Sequence, residues 1–139
     1  MFAFPSRNTK HCTRNTRHCS KSFPAHKPHS HYDLELSPGA DGSHYLASLQ
    51  HTLLLILQRH QPQLIFYDAG VDVRQDNELG LLALTVQDIY QRYKWILHLA
   101  TTMEIPIVCV SGGGYCRDIL QLVSGHSQLY FGATECFAN

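Results

Sequence analysis

The apolar residues of this chain follow two patterns, and their order predicts alternating helix and strand. Leu46, Leu49, Leu53, Ile56 and Leu57 recur at three-and-four spacing, the period of one helical face. Asp41 or Ser43 can cap that helix, and Pro62 stops it. Leu64-Ile65-Phe66-Tyr67 is a continuous apolar run, which predicts a strand of a parallel sheet covered on both faces. Thr85 and Asp88 then form a capping-box pair. Ile89, Tyr93, Ile96, Leu97, Ala100 and Met103 mark the buried stripe of the helix they start, with Trp95 covering a flank. Pro106 opens a second strand, where its missing donor is tolerated. Cys116 to Ser124 reads as a third helix with Gly125 as its stop. Further upstream, Asp33 to Leu36 alternates polar and apolar like a short strand, closed by the turn signal Ser37-Pro38-Gly39.

A strand, helix, strand unit of this kind makes two parallel strands joined by a right-handed crossover, so both strand ends open on one edge of the sheet. That edge is where α/β proteins bind ligands. Each strand here leads into small residues followed by a chemically capable side chain, Asp72 after the first and Tyr115 after the second. The spacing alone therefore predicts a carboxylate and a phenol facing one crevice. Taken singly, Asp72 is equally well a turn or cap residue and Tyr115 a packed aromatic.

The chain has 139 residues, enough for one domain with a core and too few for two. Its formal charge is zero, but residues 1–32 hold Arg7, Lys10, Arg14, Arg17, Lys21 and Lys27 and no acid. A basic, acid-poor lead fits a transit peptide or an arm for nucleic acid, of which the second is the weaker fit. Three prolines and the absence of apolar periodicity predict that this lead is mostly irregular. It contains a duplication, Arg7 to Thr13 echoed by Arg14 to Ser20, too short for a solenoid unit and easily accommodated in a loop.

No apolar run approaches the length of a membrane span and no secretory core follows Met1. The expected setting is soluble and intracellular, the cytoplasm first, with organelle targeting by the basic lead left open. The five cysteines show neither a disulfide framework nor zinc-finger spacing, which fits a reducing compartment. Cys109, inside an apolar run, is expected to be a small buried hydrophobe. His26, His29 and His31 are close enough to chelate adventitiously, but nothing around them supplies the groups that orient metal ligands.

Three consecutive glycines, Gly112 to Gly114, let the backbone approach a ligand closely. One reading is phosphate binding ahead of the third helix. The loop lacks both the GxGxxG spacing and the Lys-Ser/Thr pair of known phosphate loops, so nucleotide binding stays a minor alternative.

Tyr67-Asp68-Ala69-Gly70-Val71-Asp72, Leu79-Gly80, Leu84-Thr85 and Gly112-Gly113-Gly114-Tyr115 resemble the C-terminal half of zinc-dependent histone deacetylases, most closely the bacterial-type and class IV deacetylase-like amidohydrolases. His18-Cys19, Lys21, Phe23-Pro24, Asp33-Leu34, Asp41 and Tyr45-Leu46 resemble the segment before the same strand, so the likeness runs from about His18 to His126. It implies an α/β fold, a partial arginase/deacetylase-like parallel sheet with flanking helices. It implies an N-terminal segment over 1–32, the deacetylase-like half domain over 33–127 and a tail over 128–139.

By the same resemblance Asp72 is a ligand of catalytic zinc, Tyr115 donates to the carbonyl of an acylated lysine, and Gly113 and Gly114 line the tube that holds the lysine stem. Zinc would polarise the carbonyl and activate water. The family's other zinc ligands, in a D-x-H motif, and its catalytic histidine pair have no counterpart in this chain; His31 and Asp33 stand in the reverse order. Asn77 stands where relatives usually carry an aspartate, with Asp76 beside it, which implies a looser hold on Asp72.

The resemblance therefore implies deacetylation of an acyl-lysine protein or a small acylated amine, by a truncated domain that is inactive alone. Zinc is not expected to bind tightly to it. A complementary chain or self-association would cover the exposed sheet edge and apolar helix faces. The alternative is a non-catalytic remnant or interaction module with the same fold.

Overall fold

The computed structural model describes Phe2–Ala3 and residues 32–138. Among these, the elements in chain order are β1 (Phe2–Ala3), α1 (Gly42–His60), β2 (Ile65–Asp68), α2 (Val86–Thr102), β3 (Ile107–Val110) and α3 (Ile119–Phe137). The strands form one sheet in the order β1-β2-β3. β2 and β3 are parallel, with Ile65 opposite Ile107 and Asp68 opposite Val110, so the crossover expected from the pattern is present. β1 is antiparallel to β2, pairing Phe2 with Tyr67 and Ala3 with Phe66. That short strand departs from the irregular lead expected over 1–32. The seven-residue duplication and the His26, His29 and His31 group lie outside the described residues.

The helices begin and end on local chemistry. Asp41 caps α1 by accepting from the His44 amide at 2.9 Å, with the Ser43 hydroxyl donating to the same carboxylate. Gln61, in the left-handed region at φ 42°, closes α1 just before Pro62. Thr85 and Asp88 form the full capping box of α2: each side chain accepts from the other residue's backbone amide. Thr85→Ala removes one half of this exchange and should lower the unfolding free energy by about 1 kcal/mol. A shift of the urea midpoint would report it, and an unchanged midpoint would show that α2 is held by packing alone.

The core joins Leu49, Leu53, Ile56 and Leu57 of α1, Ile65 and Tyr67 of β2, and Ile89, Tyr93, Ile96 and Ala100 of α2 in a single cluster. Both helical stripes are therefore buried where the spacing places them, with Tyr45 added and Leu46 and Met103 only half-buried.

The sheet differs from expectation. Ile65 and Tyr67 are buried, but Phe66 is 41% exposed, and Val108 and Val110 are exposed on β3. The unbroken apolar run predicts a strand covered on both faces; among the described residues the helical layer covers one face only.

Two further expectations are corrected. Asp33 to Leu36 forms no strand; its alternation reflects half-burial of Tyr32 and Leu34 and insertion of Leu36 into the core. Gly125 does not stop the third helix, which runs to Phe137 through most of the segment read as a tail. Gly125 is small for a packing reason: a Cβ there would stand 2.6 Å from Arg74 Nη1. No helix among the described residues is long and apolar enough to cross a membrane.

Candidate functional site

The loops that follow β2 and β3 meet at one edge of the sheet, as parallel strands require. Ala69 N–H donates to the Val110 carbonyl at 2.8 Å, and Val71 N–H donates to the Gly113 carbonyl at 2.6 Å. The sheet pairing thus continues past the strand ends and brings the Asp72 loop against the glycine loop. This approach is what demands the absence of side chains: a Cβ on Gly112 would collide with Asp68 Oδ1 and stand 2.7 Å from Gly70 N. On Gly113 it would stand 3.4 Å from Asp72 Oδ2. The carboxylate of Asp72, half-buried, therefore borders Gly113 directly.

Tyr115 lies two residues beyond Gly113, and its backbone is pinned to the same loop. Its amide donates to Asn77 Oδ1 at 2.7 Å, and its carbonyl accepts from Glu78 N–H at 3.0 Å. The Tyr115 side chain is 59% exposed. Asp72 and the Tyr115 backbone are thus gathered at one loop pair, with the phenol free to meet solvent. Gly114 stands against Val71 and Leu122, with His126 Nε2 3.5 Å from where its Cβ would be. A small cleft lined by Val71, Asn77, Gly114, Tyr115, Cys116 and Leu122 opens beside it.

Asn77, at the position read as a weak point, is buried and ties the two loops together. Asp76 pairs instead with Arg74, whose other Nη donates to the Gln121 carbonyl of α3. Gln75 N–H and Leu84 N–H close the loop on itself through Leu84 O and Val73 O. The neighbour of the missing aspartate is therefore engaged, and the loop that carries Asp72 is anchored at several points.

Sequence reading missed Arg92. It is buried in α2, donates to the Gly70 carbonyl at 2.6 Å, and stacks over the Tyr93 ring at 4.6 Å. Tyr93 donates its hydroxyl to the Ala69 carbonyl at 2.6 Å. Two adjacent carbonyls just ahead of Asp72 are thus clamped from α2. A signal existed: Arg92 falls three residues after Ile89 and four before Ile96, on the buried stripe, where a cation needs a specific partner. Burial, joined by the Tyr45 hydroxyl and the Asp72 charge, holds the Tyr93 phenol above its usual pKa, though Arg92 opposes the rise.

His126 was also missed. Its Nδ1 lies 3.4 Å from Ser111 Oγ, and burial together with the Arg92 and Arg74 charges lowers its pKa, against an opposing pull from Asp72. The imidazole is accordingly favoured in its neutral form. Cys109, expected to be buried, is only half-buried because its strand is covered on one face, and that burial raises its thiol pKa.

Catalytic zinc takes three protein ligands as a rule. Among the described residues, no group of three or more His, Cys, Asp or Glu side chains gathers to hold a metal ion. Asp72 is part of no such group, so the described donor set does not fit a resident catalytic zinc. Two larger clefts lie elsewhere, one along Tyr32, Ile56 and Arg59, the other along Leu57, Pro62 and Ile105.

A parallel strand pair with its acid and phenol loops joined at one edge, backed by a helical layer, makes this an α/β protein. Residues 2–129 match the Histone deacetylase domain family. The chain is 40% identical over 116 residues to an uncharacterized protein of Picosynechococcus, covering 84% of this chain and 39% of the relative. It is 29% identical over 91 residues to Histone deacetylase 2 of Arabidopsis thaliana, covering 66% of this chain and 24% of that protein. Among solved structures, the HD domain of HDA15 aligns with a TM-score of 0.66 at 17% identity, over 87% of this chain and 36% of that one. The acetylpolyamine aminohydrolase of Burkholderia pseudomallei aligns at 0.58 and 22% identity, over 76% of this chain and 29% of that one. The chain belongs to the histone deacetylase family. It spans well under half the length of each of these relatives.

Proposed function

We propose that this chain carries the aspartate and tyrosine side of a deacetylase-type site, one that acts on an acylated lysine or acylated polyamine, and that the chain is a partial domain without turnover of its own. The observation that supports the reading is the bond from Val71 N–H to the Gly113 carbonyl, which joins the β2 and β3 loops and leaves the Asp72 carboxylate 3.4 Å from where a Cβ on Gly113 would be, two residues from Tyr115.

In this reading Asp72 holds a negative charge at the floor of the site. Tyr115, whose ring is exposed, offers its hydroxyl to the acyl oxygen as negative charge develops there. Gly113 and Gly114 leave room beside them for an extended alkylamine stem. The family's zinc would serve as Lewis acid, but the described residues do not complete its ligands, so the chemistry requires donors that these residues do not supply. A complementary chain bearing a D-x-H motif is one source. The triple glycine does not favour nucleotide: the carboxylates of Asp68 and Asp72 face Gly112 and Gly113, and they would repel a phosphate.

The test is release of acetate from an acetyl-lysine peptide and from an acetylated polyamine, with zinc supplied, by the chain and by its Tyr115→Phe variant. Equal, background-level release by both is expected, together with loss of zinc on dialysis. Release by the parent chain that the variant loses would overturn the claim of inactivity and show that the ligand set is completed elsewhere. Release that both proteins share above background would overturn the role given to Tyr115.

A further inference from the structure

We propose that the outer face of α3 is a docking surface for a second copy of this chain, forming a dimer through paired α3 helices. Leu120, Val123, Ser127, Tyr130, Thr134 and Phe137 recur at alternating spacings of three and four along its 19 residues, the seam of a left-handed helix pair. Exposure is 76% at Leu120 and 71% at Tyr130, and Ile119, Val123, Phe131 and Phe137 are all more than half exposed.

The polar members of the stripe carry no unmet need. Ser127 donates its hydroxyl to the Val123 carbonyl at 2.7 Å, and Thr134 donates to the Tyr130 carbonyl at 2.9 Å. Both can enter an apolar interface without stranding a donor.

Charge is absent from this face. Within α3 the one Asp, Glu, Lys or Arg is Glu135, and it is turned to α2, bonded to Lys94 at 2.6 Å and to the Tyr90 hydroxyl. The opposite side of α3 is already occupied: Gly132 sits so close to α2 that a Cβ there would lie 3.3 Å from Lys94 N. The exposed stripe is therefore not the helix's packing face within the chain.

Three considerations select a second copy as occupant. A face without charge requires no complementary charge, so it can meet its own image across a two-fold axis. The chain has a formal net charge of zero, so two copies do not repel. The six exposed apolar side chains present on the order of 600 Å² per copy, so a pair buries about 1,200 Å², the lower limit for a specific stable interface. A membrane surface is the poorer match, because interfacial helices flank their apolar face with Lys and Arg, and α3 has neither. The inference does not depend on whether the site is active.

Sedimentation equilibrium of the full chain from about 1 to 100 µM tests it, a range that resolves micromolar dimers. The expected result is a mass rising from 15.8 kDa towards twice that value. Tyr130→Glu and Leu120→Glu, each at an exposed position, should weaken dimerisation at least about tenfold while leaving the circular dichroism spectrum unchanged. A monomer throughout would overturn the proposal and leave the face to the part of the family domain that this chain does not span. A dimer that both variants retain, an open-ended assembly, or a monomer that partitions onto phosphatidylserine vesicles would overturn it as well.

Discussion

Gly112→Ala should lower the unfolding free energy by roughly 3 kcal/mol, the upper end of what overpacking costs. The added carbon would collide with Asp68 Oδ1 and press on the backbone of Gly70, at 2.7 Å from its nitrogen and 2.8 Å from its Cα. A flexible side chain could swing away; backbone cannot. The two loops would have to separate, and with them the bond from Val71 N–H to the Gly113 carbonyl. Gly113→Ala provides the contrast. Its nearest new neighbour would be Asp72 Oδ2 at ordinary contact distance, so stability should stay within about 0.5 kcal/mol. Urea unfolding of the two variants measures the difference. Equal midpoints would mean that the loops do not approach as closely as the structure shows, and the placement of Asp72 beside Gly113 would fall with it.

Arg92→Ala should cost about 4 kcal/mol, combining a lost charged hydrogen bond of about 1.5–3 kcal/mol with the void left by a large buried side chain. The comparison that separates these effects is Arg92→Met, which restores most of the volume. It leaves the Gly70 carbonyl without its donor and should recover about half of the loss. The opposing effect is relief from burying a cation, since no carboxylate lies within ion-pair distance of Arg92 among the described residues. If Arg92→Met proved as stable as the parent chain, that relief would outweigh the bond, and the clamp on Gly70 would contribute nothing net. A loss for both variants supports the clamp as the device that sets the direction in which the chain enters Asp72.

What could be read beforehand divides along the range of the interactions. Thr85 and Asp88 lie three residues apart and meet only each other, so a capping box is legible from the chain alone. The same holds for the strand runs and for the stripe of α2. The meeting of Asp72 with the glycine loop was legible as topology, because two parallel strands leave their ends on one edge. Arg92 was not legible in its role, since its surroundings come from Tyr45 of α1, Gly70 after β2 and Tyr93 of its own helix. Gly125 misled for a related reason. Glycine marks a helix end and a close contact equally well, and only the position of Arg74 tells them apart. Phe66 misled too: an apolar run signals burial on both faces, whereas here alternate residues remain open.

The small strand β1 bears on the order in which the chain assembles. Its pairing of Ala3 with Phe66 closes a longer stretch of chain than the pairing of Phe66 with Val108. It returns only two residues of ladder for that closure, while the entropy of bringing chain ends together rises with their separation. The β2, α2, β3 unit encloses a shorter loop, carries its own capping box and buries most of the core, so it is the natural nucleus. β1 is then the last strand to join the sheet and the first to leave it. The amides along the edge of β2 that it covers are therefore expected to exchange with solvent ahead of those in the joined loops of Asp72 and Tyr115.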